Sequence, residues 1–319
     1  MATFLPVLTD APAFRAWRAE PSRWLPVVTD IAHSHSLPHA SIAAFPTGTN
    51  LVVALDHRLI LKIFPPFFRN QFIAERMPLS QLRGRLTVAI PEIVLEGERD
   101  GWSYLVITRL SGILGTEAWP LLPEADKETI LGELGDAIAQ VQRVPPGGLT
   151  LLEPKWEPFI QKQIEGCRAR HVQLGMPNKF LADLDDLIDR AATLVPLHAP
   201  AVILTGEYIP ENLLLSCQSG AWRLSGLIDF GDVMTGYGEY DLLGPSAFMT
   251  AGMPRRVQRL FAGFGYSPTD VNQALTRRLF TLMLLHRASD PLRHICIDGG
   301  WQHKVDTLAD LEHLLWPIR

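Results

Sequence analysis

The pattern of apolar residues changes period once along this chain, near Arg109-Leu110-Ser111-Gly112, and that change limits what it can fold into. Before it, short apolar runs at 41–45, 51–55 and 59–64 are separated by Pro46-Thr47-Gly48-Thr49-Asn50 and by Asp56-His57-Arg58, the pattern of an antiparallel meander. Two further strand-like runs near 92–96 and 103–108 bring the expectation to about five strands. After the change, helical spacing takes over at 127–144, 156–174, 179–194, 255–263, 269–286 and 301–315. Two helical stretches precede it. At 24–35, Trp24, Leu25, Val27, Val28, Ile31 and Ala32 recur at helical spacing until Ser36-Leu37-Pro38 stops them. At 71–82, Phe72, Ala74, Glu75, Leu79 and Leu82 share faces. Pro78 there predicts either a late start, with the proline in the first turn, or two short pieces meeting at it. The reading is an α+β chain, with a small antiparallel sheet unit over 1–109 and a larger, mainly helical unit over 110–319.

Composition narrows the classes of function. At 319 residues the chain is too long for one small core, and 47% hydrophobic with 20% charged residues is ordinary for a globular protein. A net charge of −5 and a pI near 6.1, with no Lys/Arg cluster, argue against nucleic acid as a partner. Between 201 and 245 the acids Glu207, Glu211, Asp229, Asp232, Glu239 and Asp241 face a single base, Arg223, a field that suits a cationic small molecule and a metal ion. Solvated loop acids are an equal reading of Glu211 and Glu239. Cys167, Cys217 and Cys296 are far apart and show neither zinc nor disulfide spacing. The start, Met1-Ala2-Thr3-Phe4-Leu5-Pro6, lacks a basic segment followed by an apolar run, and no stretch reaches the ~18 apolar residues of a membrane span. A cytoplasmic protein is expected, a monomer or weak dimer without membrane partners.

The chemistry concentrates in Thr205-Gly206-Glu207-Tyr208-Ile209-Pro210-Glu211-Asn212, followed by Gly226-Leu227-Ile228-Asp229-Phe230-Gly231-Asp232. A carboxylate five residues before an amide puts both on one short loop, where Glu207 can face a hydroxyl nucleophile while Asn212 holds a metal ion. Asp229 supplies the anion for that metal at the end of the apolar run 224–230, read as a buried strand. This spacing is that of phosphoryl transfer. Lys62, alone among apolar residues in Leu59-Ile60-Leu61-Lys62-Ile63-Phe64, needs an anionic partner if buried. Sequence order offers Glu75, with Glu92, Glu96 and Glu98 as competitors; taken alone, an edge-strand lysine turned to water is the plainer reading, but the order of Lys62 relative to Glu207, Asn212 and Asp229 reverses that preference. Asp232 reads as a turn cap, and His286 on an apolar helix as a packing residue. Asp290, Asp298 and Asp306 near Trp301 could line a substrate site or simply solvate helix ends.

On these residues the chain resembles the aminoglycoside phosphotransferase family, small-molecule kinases built on the protein-kinase fold, and within it the hygromycin phosphotransferase branch. The resemblance implies two lobes with a cleft between them, ATP or GTP as phosphate donor, Mg2+, and an aminoglycoside as the cationic acceptor. It implies that Lys62, positioned by Glu75, meets nucleotide phosphates, that Thr47, Gly48 and Thr49 cover them, and that Val106 and Thr108 lie in the segment meeting the base. Glu207 becomes the catalytic carboxylate, Asn212 and Asp229 the metal ligands, and Asp241 the buried acid that braces the loop. The family usually reads His-Gly-Asp where this chain has Thr205-Gly206-Glu207, so both the histidine and the aspartate are replaced. Two alternatives stay open: a metabolic small-molecule kinase of the same fold, and a nucleotide-binding pseudokinase.

Overall fold

The computed structural model describes residues 5–46 and 48–317 and divides the backbone into two compact units. The first comprises Met1–Arg83, Ala89–Ser111 and Ile228–Asp232. The second comprises Gly84–Val88, Gly112–Leu227 and Val233–Arg319.

In the first unit, β1 (Ile42–Ala44), β2 (Leu51–Leu55), β3 (Leu59–Phe64), β4 (Ile93–Arg99) and β5 (Trp102–Thr108) form one antiparallel sheet in the order β1-β2-β3-β5-β4. Asp100 and Gly101, with φ of 50° and 81°, make the two-residue turn that joins β4 to β5. The period of two along β3 decides its faces. Leu61 and Ile63 enter an apolar cluster with Val53, Leu55, Trp102 and Val106, whereas Lys62 and Phe64 turn the other way. Helix α2 (Pro21–Ser34) covers that cluster with Trp24, Val27, Val28 and Ile31. It starts earlier than the expected 24–35 because Pro21 occupies its first turn.

Helix α1 (Ala11–Arg18) was not expected. The Asp10 side chain caps it, accepting from the Ala13 N–H at 2.8 Å, and Phe14 and Trp17, one turn apart, pack on Trp102. On the other face lies α3 (Arg69–Leu82), whose Phe72 meets Phe64 at 5.6 Å. It neither starts late nor breaks at Pro78. The helix runs through this buried proline, which gives up one backbone hydrogen bond while Leu79 and Leu82 bury beside it.

In the second unit the long helices Glu124–Arg143, Trp156–Gln173, Asn178–Leu194 and Pro254–Phe264 fall close to their expected places. The helix expected at 269–286 is Gln273–Leu285, started by the Asn272 side chain accepting from Ala274 and Leu275. That expected at 301–315 shrinks to Leu308–Leu315, started by a capping box between Thr307 and Asp310. Strands also continue past 112. Leu213–Gln218 and Ala221–Leu227 form a hairpin through Ser219-Gly220, with φ of 52° and 84°, and Val202–Leu204 pairs with Met234–Gly236.

The helices Glu124–Arg143 and Pro254–Phe264 cross at glycines. A methyl at Gly135 would run into the Leu260 carbonyl, and one at Gly263 into that of Gly132. Gly135→Ala is expected to cost about 1–3 kcal/mol, read as a lowered denaturation midpoint. An unchanged midpoint would mean that the backbones separate freely.

Candidate active site

Lys62 is 8% exposed and Glu75 1% exposed, on the face of β3 that α3 covers. The Lys62 ammonium donates to Glu75 Oε1 at 2.5 Å and lies 3.4 Å from Asp229 Oδ1. Burial by itself would pull its pKa down, but Glu75 and Asp229 outweigh burial and hold it above the ordinary lysine value. The cation therefore stays charged. The competing acids are used elsewhere: Glu96 pairs with Arg76, Glu98 with Arg69 and Glu92 with Arg83. The lysine thus finds its anion on the helix beside it.

Asp229 is not the last residue of a strand, as its apolar run suggested. The strand ends at Leu227, and Asp229 follows with a left-handed φ of 63°. A non-glycine residue held there is costly, by about 1–3 kcal/mol, and persists where its surroundings fix it. Here Oδ1 accepts from Lys62 and from the Gly231 N–H at 3.4 Å, while the side chain remains half exposed.

The second unit carries Glu207 and Asn212. The Asn212 side-chain amide donates to the Glu207 carbonyl at 3.0 Å and approaches Glu207 Oε2 at 3.5 Å, which leaves its Oδ1 facing away from these acceptors. Asp241 braces the loop. It is 1% exposed and accepts from the backbone N–H of Gly206 at 2.8 Å and of Thr205 at 3.3 Å, and from Gln142 at 3.4 Å.

Burial pushes the Asp241 carboxyl up to about 7, with those three hydrogen bonds pulling the other way. The folded state then holds this proton more tightly than the unfolded chain, whose aspartates titrate near ~3.9. The stability it contributes is fully present below about pH 4 and is lost as pH rises through about 7. Asp241→Asn cannot ionise, so denaturation at several pH values is expected to show this component of the slope only in the native chain. Equal slopes in the two proteins would remove the assignment.

The remaining expected site residues are placed as follows. Thr47 lies outside the described residues. Gly48, with φ of 94°, sits in the turn between β1 and β2 with open space around its Cα, and Thr49 beside it is exposed. Val106 is buried in β5 between Leu61 and Leu95, so its backbone belongs to the ladder. At the strand end the Thr108 N–H donates to the Glu92 carbonyl at 2.9 Å, and its hydroxyl accepts from the Glu92 N–H at 2.9 Å.

The donor types fit a hard cation. Asn212 offers an amide oxygen and Asp229 a carboxylate, and Mg2+ in phosphoryl-transfer sites takes one or two carboxylates together with substrate phosphates. Among the described residues no group of three or more His, Cys, Asp or Glu side chains gathers as a metal cage.

The APH model, describing a phosphotransferase enzyme family, matches residues 44–275. The chain belongs to this family. An aminoglycoside 3'-phosphotransferase of Streptomyces ribosidificus is 29% identical over 157 residues, which is 45% of this chain and 53% of that protein, so the match spans about half the relative's length. A GDP complex of aminoglycoside 2'-phosphotransferase-IIIa shares the fold at a TM-score of 0.67, with 17% identity, 82% of this chain covered and 88% of the other. A macrolide 2'-phosphotransferase from Brachybacterium faecium has a TM-score of 0.52 at 16% identity, over 83% of this chain and 99% of the other. The kinase-like α+β fold of the APH family is therefore that of this chain.

Near the loop that carries Glu207 the structure places His286, expected only to pack, and Arg287, for which nothing was expected. His286 caps the end of the helix Gln273–Leu285, and its ring stacks on Tyr240 at 4.8 Å. Arg287 Nη2 lies 3.3 Å from Glu207 Oε1. Their one sequence signal is adjacency at the end of an apolar helix. The structure also corrects the acidic field. Glu239 is 4% exposed and held by two Arg278 hydrogen bonds and the Tyr266 hydroxyl, so it is a structural anion. Asp290 caps the helix Pro291–His294, and Asp306 lies 3.6 Å from Lys179.

Proposed function

We propose that this APH protein moves the terminal phosphate of ATP or GTP to a hydroxyl of an aminoglycoside, with Mg2+, and so inactivates the drug. The observation that carries the reading is the buried Lys62 ammonium, kept charged between Glu75 and Asp229. A cation so placed meets phosphate oxygens without reorganising. The family match and the name of the Streptomyces relative support the acceptor class, as does the complex of a structural neighbour with GDP and kanamycin.

In this reading the Glu207 carboxylate orients the acceptor hydroxyl and takes its proton as the new O–P bond forms. The bond from the terminal phosphorus to its bridging oxygen breaks, giving a phosphate monoester and a nucleoside diphosphate. Asn212 and Asp229 would hold Mg2+, which neutralises phosphate charge when bound. Gly48 and Thr49 belong to the turn that would lie over the phosphates, with Thr47 keeping its sequence-based role there, and the base meets β5 toward its end at Thr108 rather than at the buried Val106. With Glu239 and Asp241 buried and Asp229 assigned to the metal, the carboxylates of this field left to meet a cationic acceptor are Glu207 and the exposed Glu211 and Asp232. Three free thiols suit a cytoplasmic location, and we read the protein as a monomer or weak dimer.

The test is transfer of labelled terminal phosphate from ATP and from GTP to a panel of aminoglycosides including hygromycin B, with Glu207→Gln as control. Transfer that the control loses would support the reading and name the acceptor. Absence of transfer to every member would overturn it.

A further inference from the structure

The loop carrying Glu207 has Thr205 where the family reads histidine, and the buried Thr205 hydroxyl makes no hydrogen bond to neighbouring backbone. Something else must hold the loop. Gly206 takes a left-handed φ of 73°, and its N–H is already held by Asp241 at 2.8 Å. Its carbonyl belongs to the peptide that leads into Glu207. His286 Nδ1 accepts from the Ala288 N–H at 3.2 Å, which places the ring hydrogen on Nε2. That ring also hydrogen-bonds the Gly206 backbone. With the Gly206 N–H committed to Asp241, the acceptor left there is the carbonyl. The next residue, Arg287, reaches the Glu207 carboxylate at 3.3 Å.

We propose that the His286–Arg287 pair is the positioning device for Glu207, with His286 fixing the Gly206–Glu207 peptide and Arg287 aiming the carboxylate. The inference rests on Glu207 being the group that meets the acceptor hydroxyl. It explains why the two departures from the family loop occur together. Glutamate has one more rotatable bond than aspartate, so a longer arm needs a second hold at its end, and a guanidinium provides that hold by hydrogen bonding as well as charge. Once an imidazole arrives from a different helix, the loop has no need of its own. The ring is itself fixed: Tyr240 stacks on it, and Tyr240 is wedged edge-on by Trp156 and Phe159. Burial and the neighbouring Arg287 pull the His286 pKa down to about 4, so the imidazole is neutral at ordinary pH and keeps one donor and one acceptor.

The experiment measures phosphate transfer for His286→Phe, Arg287→Met and Arg287→Lys, each in the native and the Glu207→Gln backgrounds, with thermal melting of every variant. His286→Phe keeps the stack on Tyr240, and Arg287→Met sits at a half-buried side chain, so at least the second is expected to fold. A misplacement of about 1 Å costs up to ~100-fold, so His286→Phe and Arg287→Met should lower kcat by roughly 10–100-fold with KM little changed, and Arg287→Lys should recover part of it. In Glu207→Gln the same changes should have no further effect on the residual rate, because there is no carboxylate left to aim. Equal losses in both backgrounds, or none in the native one, would overturn the proposal. If Glu207→Gln itself leaves transfer intact, the fault lies with the reading of Glu207, and the proposal falls with it.

Discussion

Lys62→Ala is expected to abolish detectable phosphate transfer and to destabilise the first unit at the same time. Removing one member of a buried ion pair leaves the other uncompensated, at a cost of about 3–5 kcal/mol. Glu75 is 1% exposed, so the stranded charge is of this kind. Protonation of Glu75 would relieve part of the cost, and burial already pushes that carboxyl up. A second substitution separates folding from function. In Lys62→Ala/Glu75→Gln no buried charge is stranded, so the denaturation midpoint should return most of the way toward the native value. Transfer should not return, since no ammonium remains to meet phosphate. Recovery of both in the double variant would show that Lys62 serves the fold alone.

How much of this was legible beforehand follows from which signals are local. The sheet was, because alternation and turn residues are neighbours in sequence, and so was Lys62, a charge whose apolar surroundings demanded a partner. Glu75 emerged from three competitors only through α3, which turns it toward β3 while arginines on or beside that helix take the others. Helix α1 was missed despite a capping aspartate and a following proline, since eight residues give too few turns for periodicity to show. Of the second unit's hairpin only the second strand was expected, at 224–230 where it runs Ala221–Leu227, and its partner Leu213–Gln218 was missed because long helical patterns dominate its surroundings, although Ser219-Gly220 marked the turn. Glu239 could not be told from a solvated acid, because its partner Arg278 is 39 residues away. His286 and Arg287 lie 80 positions or nearly so from the loop they touch, and sequence order carries no trace of that contact.

That contact decides the sign of the most instructive substitution. Restoring the family residue with Glu207→Asp is expected to slow transfer by about 100-fold, since shortening the side chain withdraws the carboxylate by roughly 1 Å or more from a backbone that cannot follow. The backbone cannot follow because it is held at successive positions: Asp241 takes the Gly206 N–H, His286 bonds the Gly206 backbone, and Asn212 takes the Glu207 carbonyl at 3.0 Å. Arg287, placed to reach a glutamate at 3.3 Å, would also lose that contact. Glu207→Gln keeps the length and removes the charge, so its loss, on the order of 100- to 10,000-fold, measures the carboxylate itself. Comparing the two in kcat separates reach from basicity. A faster aspartate variant would mean that the loop yields to the shorter arm, and that glutamate weakens a site whose frame still fits the family's residue.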